Sequence, residues 1–225
     1  MEPRNDSFVR RNSLGLTTFG TFLLLLVAMT VVGHGAYNAD QLAHGGASVS
    51  LSSYLGEGHF WEALFENWES EFLQMAAYVL LTVFLIQKGS AESKDPDAHE
   101  AVDDDPRAAD LRAPVPWPVR RGGIWLVLYE NSLFLAFVVL FLASFVGHAL
   151  GGVDEYNAQL REHHEPLVDT WGYVTSSQFW FESFQNWQSE FLAIFAIVVL
   201  SVFLRQRGSA ESKPVAAPHG ATGTS

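Results

Sequence analysis

Apolar residues fall into four blocks along the chain: Leu14 to Val32, Leu73 to Ile86, Leu133 to Leu150 and Leu192 to Leu204. The first and third approach the roughly 20 residues that a helix needs to cross about 30 Å of hydrocarbon. The second and fourth reach that length once their flanks are counted. Aromatic residues precede them, and Lys88 or Arg205 with Arg207 follows, as membrane interfaces favour. The pattern predicts an all-α integral membrane four-helix bundle, with transmembrane helices at about 13–34, 69–87, 131–150 and 188–206.

Shifting the chain against itself by 119 residues aligns two halves without a gap, and 36 of the 83 positions from Asn12 to Lys94 are identical in Asn131 to Lys213. Phe65-Glu66-Asn67-Trp68-Glu69-Ser70-Glu71-Phe72-Leu73 faces Phe184-Gln185-Asn186-Trp187-Gln188-Ser189-Glu190-Phe191-Leu192, and Gly89 through Lys94 repeats unchanged as Gly208 through Lys213. The chain therefore reads as two tandem two-helix repeats, at 12–94 and 124–213. Residues 1–11 form a cytoplasmic tail, 95–123 a disordered acidic, proline-rich cytoplasmic linker, and 214–225 a disordered tail. The internal repeat also argues that the first block is a retained span rather than a cleaved signal, because its counterpart lies mid-chain.

Each repeat crosses twice, so both copies insert the same way round, as parallel repeats. Of 13 Lys and Arg residues, 12 lie in the two tails and the linker, and only Arg161 lies in the other loops. The positive-inside rule then puts both termini in the cytoplasm and two loops, about 35–68 and 150–187, outside. A cytoplasmic membrane is the predicted location.

Composition removes several function classes. The chain has no cysteine, which excludes disulfides, thiolate metal sites and cysteine nucleophiles. A net charge of −12 argues against nucleic acid as a partner. The partners that stay open are the lipid bilayer, a second copy of the chain, or another membrane protein. No phosphate-binding loop, nucleophile elbow or cofactor fingerprint occurs, so no cofactor is predicted and a non-enzymatic role is favoured.

The candidate chemistry sits where each outward loop enters the second helix of its pair. Trp61, Phe65, Trp68 and Phe72 form one helical stripe, repeated as Trp180, Phe184, Trp187 and Phe191. This reads first as an interfacial belt packed on a neighbouring helix, and second as a ligand-contacting wall. Asn67, Ser70 and Glu71 share another face, as do Asn186, Ser189 and Glu190. Glu71 and Glu190 lie roughly 25 Å and 22 Å of helix from the basic flanks, near the outer edge of the hydrocarbon. A carboxylate at that depth needs a partner or water.

His34 and His148 lie at similar depth. Together with Glu71 and Glu190 they could hold a divalent metal or exchange protons, although no spacing matches a metal motif such as H-E-x-x-H. The bland alternative has the glutamates accepting bonds at helix starts and the histidines bonding loop carbonyls. Three roles follow for the chain: a structural, sensory or partner-binding membrane protein; a small transporter or channel with a vestibule lined by Glu71, Glu190, Asn67 and Asn186; or a membrane His/Glu metal or enzyme site.

The repeated Asn-Trp-x-Ser-Glu-Phe-Leu signature, at Asn67 to Leu73 and Asn186 to Leu192, resembles an uncharacterised family of bacterial multi-pass membrane proteins catalogued as a domain of unknown function. The resemblance covers nearly all of the chain outside the linker and tails. It implies a bacterial membrane protein and brings no activity or catalytic residue.

Overall fold

The computed structural model describes residues 7–223. The first six residues of the amino-terminal tail and the last two of the carboxyl-terminal tail lie outside the described residues. Within them the chain is helical, without a strand: α1 (Phe8–Arg11), α2 (Ser13–Ala43), α3 (Leu51–Tyr54), α4 (Gly58–Phe84), α5 (Trp117–Arg121), α6 (Gly123–Glu130), α7 (Ser132–Glu162), α8 (Thr170–Val174) and α9 (Ser177–Phe203). Residues 95–116 run as mostly exposed turns, with short 3-10 segments at Ala101–Asp103 and Pro106–Ala108.

Among the described residues, α2, α7 and α9 are long and apolar enough to cross a membrane. Their outward surfaces expose Leu24, Val32, Val139, Leu150 and Phe195. α4 is as long as α9, at 27 residues, but carries Glu62, Glu66, Glu69 and Glu71 in its first half. It is also the central helix: it packs closely along α7, borders α9, and meets α2 through the ring contact of Trp68 with Phe22. α2 buries no residue fully.

The duplication is visible in the loops. Asn38 brackets the returning chain, accepting from Val49 N at 2.7 Å and donating to Val49 O at 3.0 Å. Asn157 does the same to Val168, at 2.9 Å in both directions. Each bracket leads into a one-turn helix capped by Ser50 or Asp169, which turns Tyr54 or Tyr173 inward to full burial. Residues shared by the halves thus build the scaffold twice.

The packing is not symmetric. The α4–α7 contact is intimate, whereas the corresponding pair, α9 and α2, makes no comparable contact. Glycines account for the difference. An added Cβ on Gly147 would meet the Phe65 ring at 2.5 Å, and one on Gly151 would meet Glu62 N at 2.8 Å; Gly58 on α4 is equally tight against Gly151 O at 2.7 Å. These three glycines let the two backbones approach, as small residues four apart do between helices in membranes. In the first repeat the matching positions are Ala28 and Val32, and Ser177 on α9 matches Gly58.

The opposite, tail end is tied together across the repeats. The buried ammonium of Lys213 donates to the carbonyls of Gly89, His219 and Ala221. Ser90 Oγ lies 2.9 Å from Ser201 Oγ, and Gly223 N donates to Ser90 O at 2.9 Å.

Candidate functional site

His148 lies between Gly147 and Gly151, at the point of closest approach of α7 and α4. It is fully buried, its ring stacked on Phe179 with 4.7 Å between centroids. Its Nδ1 stands 2.9 Å from Oε2 of Glu69, a carboxylate on α4 that is also fully buried. The other oxygen of Glu69 accepts from the Trp187 indole on α9 at 3.0 Å. Three helices from both repeats therefore meet on one His–Glu pair.

On the far side of the ring, Nε2 faces Oε2 of Glu182 at 3.5 Å and the Tyr173 hydroxyl at 3.4 Å. Tyr173 donates to Glu182 at 2.5 Å, and its oxygen lies 3.3 Å from Oε1 of Glu62. Burial and the adjoining carboxylates, Glu182 first, hold the Tyr173 phenol above its ordinary pKa, so it stays a neutral donor. Glu62, His148 and Glu182 each offer a donor atom within 4.8 Å of the others, and they are the residues here able to hold a metal ion.

Two members of the cluster, Glu62 and Glu182, line a polar cleft of about 680 Å³ at the loop end, between the ends of α2, α4, α7 and α9. Asp40, Glu62, Glu66, Glu155, Glu162 and Glu182 line it, with His44, His59 and His163. Glu66 accepts from Asn186 at 2.5 Å and from Gln185 at 3.3 Å. At the rim, exposed Asp40, His44 and Glu162 form a second close trio. Burial pushes the pKa of Glu62 up to about 8 and raises those of Glu66 and Glu155, so the six carboxylates around the cavity attract protons as well as other cations.

The sequence profile of a family described as a domain of unknown function, DUF6766, matches residues 5–224. The chain belongs to this family. No curated protein matches, and no solved structure does. Membership assigns no role, so any function has to be read from the site.

The structure distributes the residues singled out by the sequence over several places. His148 lies in the cluster, Trp187 supports it by donating to Glu69, and Asn186 reaches the cleft by donating to Glu66. His34 bonds to the Val49 carbonyl at 2.8 Å and to Asn38 at 2.9 Å, within the first loop bracket. Glu71 and Glu190 are electrostatic neighbours of each other, with Gln74 donating to the Glu190 carbonyl at 3.0 Å. They do not meet the histidines. Asn67 caps back onto Ala63 O, and Ser70 and Ser189 onto Asn67 O and Asn186 O, all within their own helices. The aromatic stripe packs as rings in sequence, Trp61 on Phe65 on Trp68 on Phe72, and reaches α7 through Phe137. Its counterpart meets α7 through Trp180 with Phe145 and Trp187 with Phe141.

The sequence pattern does not single out Glu62, Glu69, Glu182 or Tyr173, because its carboxylate candidates, Glu71 and Glu190, are the ones common to both repeats. Apart from Tyr173, the cluster consists of residues that differ: His148 opposite Met29, Glu69 opposite Gln188, Glu62 opposite Phe181, Glu182 opposite Ala63. The available signal was His148 inside Gly-x-x-x-Gly, together with polar departures from the repeat.

Proposed function

We propose that the protein is a non-enzymatic sensory membrane protein that takes cations from the outer aqueous phase into the acidic cleft. It crosses the bacterial cytoplasmic membrane four times with both termini inside. The concentration of Lys and Arg in the tails and linker supports this orientation. α4 serves as the fourth span because neighbouring helices shield its polar face, while the exposed apolar surfaces of α2, α7 and α9 meet lipid.

One observation carries the reading: a fully buried histidine–carboxylate pair, linked through His148 to Glu182 on the wall of an acidic cleft, lies where the described parts of the two repeats pack most closely. A cation there changes the charge balance where α4, α7 and α9 meet. At their other ends α4 and α9 run into the hairpin and tail joined by Lys213, which gives the change a cytoplasmic output. A ligand shifts such an equilibrium only through different affinity for its two states, so the packing must respond.

The chain's lack of cysteine makes the test clean. Ala39→Cys and Ser177→Cys, both exposed at the loop end, should react in intact cells with a membrane-impermeant thiol reagent. Spin labels on the same pair in reconstituted protein should change separation when protons, Mg²⁺, Zn²⁺ or Mn²⁺ are added, but not with choline chloride at equal ionic strength. A distance indifferent to every cation would rule the reading out.

A further inference from the structure

We infer that His148, Glu182 and Glu62 form a binding site for a divalent first-row transition metal ion, with Glu69 orienting the imidazole from behind. The inference rests on the cation-sensing reading above and names the cation.

The argument is a count of hydrogens. Glu69 takes the Nδ1–H of His148, at 2.9 Å, which turns the Nε2 lone pair toward Glu182. Nε2 and Glu182 Oε2 then face each other at 3.5 Å as two acceptors. Tyr173 has one hydrogen to give, and its 2.5 Å bond to Glu182 uses it. Glu62 Oε1, 3.3 Å from the same hydroxyl oxygen, is again an acceptor facing an acceptor. Such an arrangement calls for added positive charge between the groups: a second proton on the imidazole, a proton on a carboxylate, or a metal ion.

Several features favour the metal. Three donor atoms converge within 4.8 Å. Bonds of about 2.0–2.2 Å to nitrogen and carboxylate oxygen would draw them closer through small rotations of Glu62 and Glu182. A carboxylate on the remote nitrogen of a ligating histidine fixes its tautomer and raises its basicity, and that is the position of Glu69. Trp187 in turn holds the second oxygen of Glu69 at 3.0 Å. One imidazole and two carboxylates, without a thiolate, suit Zn²⁺, Mn²⁺ or Fe²⁺ better than Ca²⁺ or Mg²⁺, which take oxygen ligands. The acidic cleft supplies an approach for a dication and leaves coordination positions open to water.

The test uses full-length protein, purified in detergent, stripped with chelator and dialysed against Zn²⁺ or Mn²⁺. About one ion per chain should be retained by elemental analysis, with none in His148→Ala or Glu182→Gln. Glu69→Gln should weaken binding by about 10- to 100-fold, as loss of an orienting carboxylate does. Asp110→Asn, at an exposed position of the linker and outside the cleft lining, should leave affinity unchanged. Because a site variant can misfold, wild-type protein loaded with Co²⁺ provides a second measurement: X-ray absorption should show one imidazole in the first shell.

Absence of a retained ion, retention by His148→Ala, or a shell with several imidazoles would overturn the metal site. If the spin-label distance still responds to protons or Mg²⁺ in such a metal-free protein, the sensing reading survives and the occupant is the proton. If it responds to nothing, both fail.

Discussion

An added Cβ on Gly151 would lie 2.8 Å from the Glu62 amide nitrogen and 2.9 Å from Trp61 Cβ, so a side chain at this position has to push α4 away as a body. Gly151→Val, which installs the residue found at the matching position of the first repeat, should cost about 2–4 kcal/mol. Gly20→Ala, with nothing within 4 Å of the new methyl group, should be neutral or stabilising. Thermal unfolding of the two variants in detergent checks this, and equal melting temperatures would remove the role assigned to the glycines. The same residues show why the site was only partly legible. His148 could be picked from its depth and its glycine neighbours. Its partners could not, because sequence spacing says nothing about which helix lies opposite. Glu71 and Glu190 stood out by being repeated, whereas Glu69 and Glu182 join the cluster through the α4–α7 and α7–α9 contacts.

At the level of elements, the hydrophobic blocks foretold α2, α7 and α9, whose apolar runs satisfy length and composition together. α4 was legible through its second half, the apolar block from Leu73 with aromatic and basic flanks, since its first half carries four glutamates. The tail after Lys213 had no apolar pattern to announce a docked position. Its contacts come from one buried ammonium satisfying backbone carbonyls on both sides. The two copies of this lysine accordingly predict different behaviour. Lys213→Ala removes a buried charge-assisted network and should cost about 2–3 kcal/mol, freeing the tail and speeding tryptic cleavage after Arg205 and Arg207. Lys94→Ala breaks only a partly exposed pair with Asp103 and should leave the cleavage rate unchanged. Equal rates in both variants would contradict a tail held by Lys213.

Across the molecule, the two halves share the residues of their scaffold and differ at its centre. Shared Asn, Val and Tyr residues shape both loops, and shared Phe and Trp residues fill the helix contacts. Around Tyr54 the first repeat has an apolar cluster containing Met29, where the second has His148. Nature's own replacement for each polar group is thus present in the same chain. His148→Met gives the second repeat the residue of the first, Glu69→Gln gives the first repeat the residue of the second, and the pair keeps an acceptor for Trp187.

The most direct measurement is the separation of spin labels at Ala39→Cys and Ser177→Cys in this double variant beside the unsubstituted background, with and without added cation, in protein matched for helicity and melting temperature. Cations should move the labels in the background and leave them still in the double variant. A shift of equal size in both would contradict a cation site built from the residues in which the two halves differ.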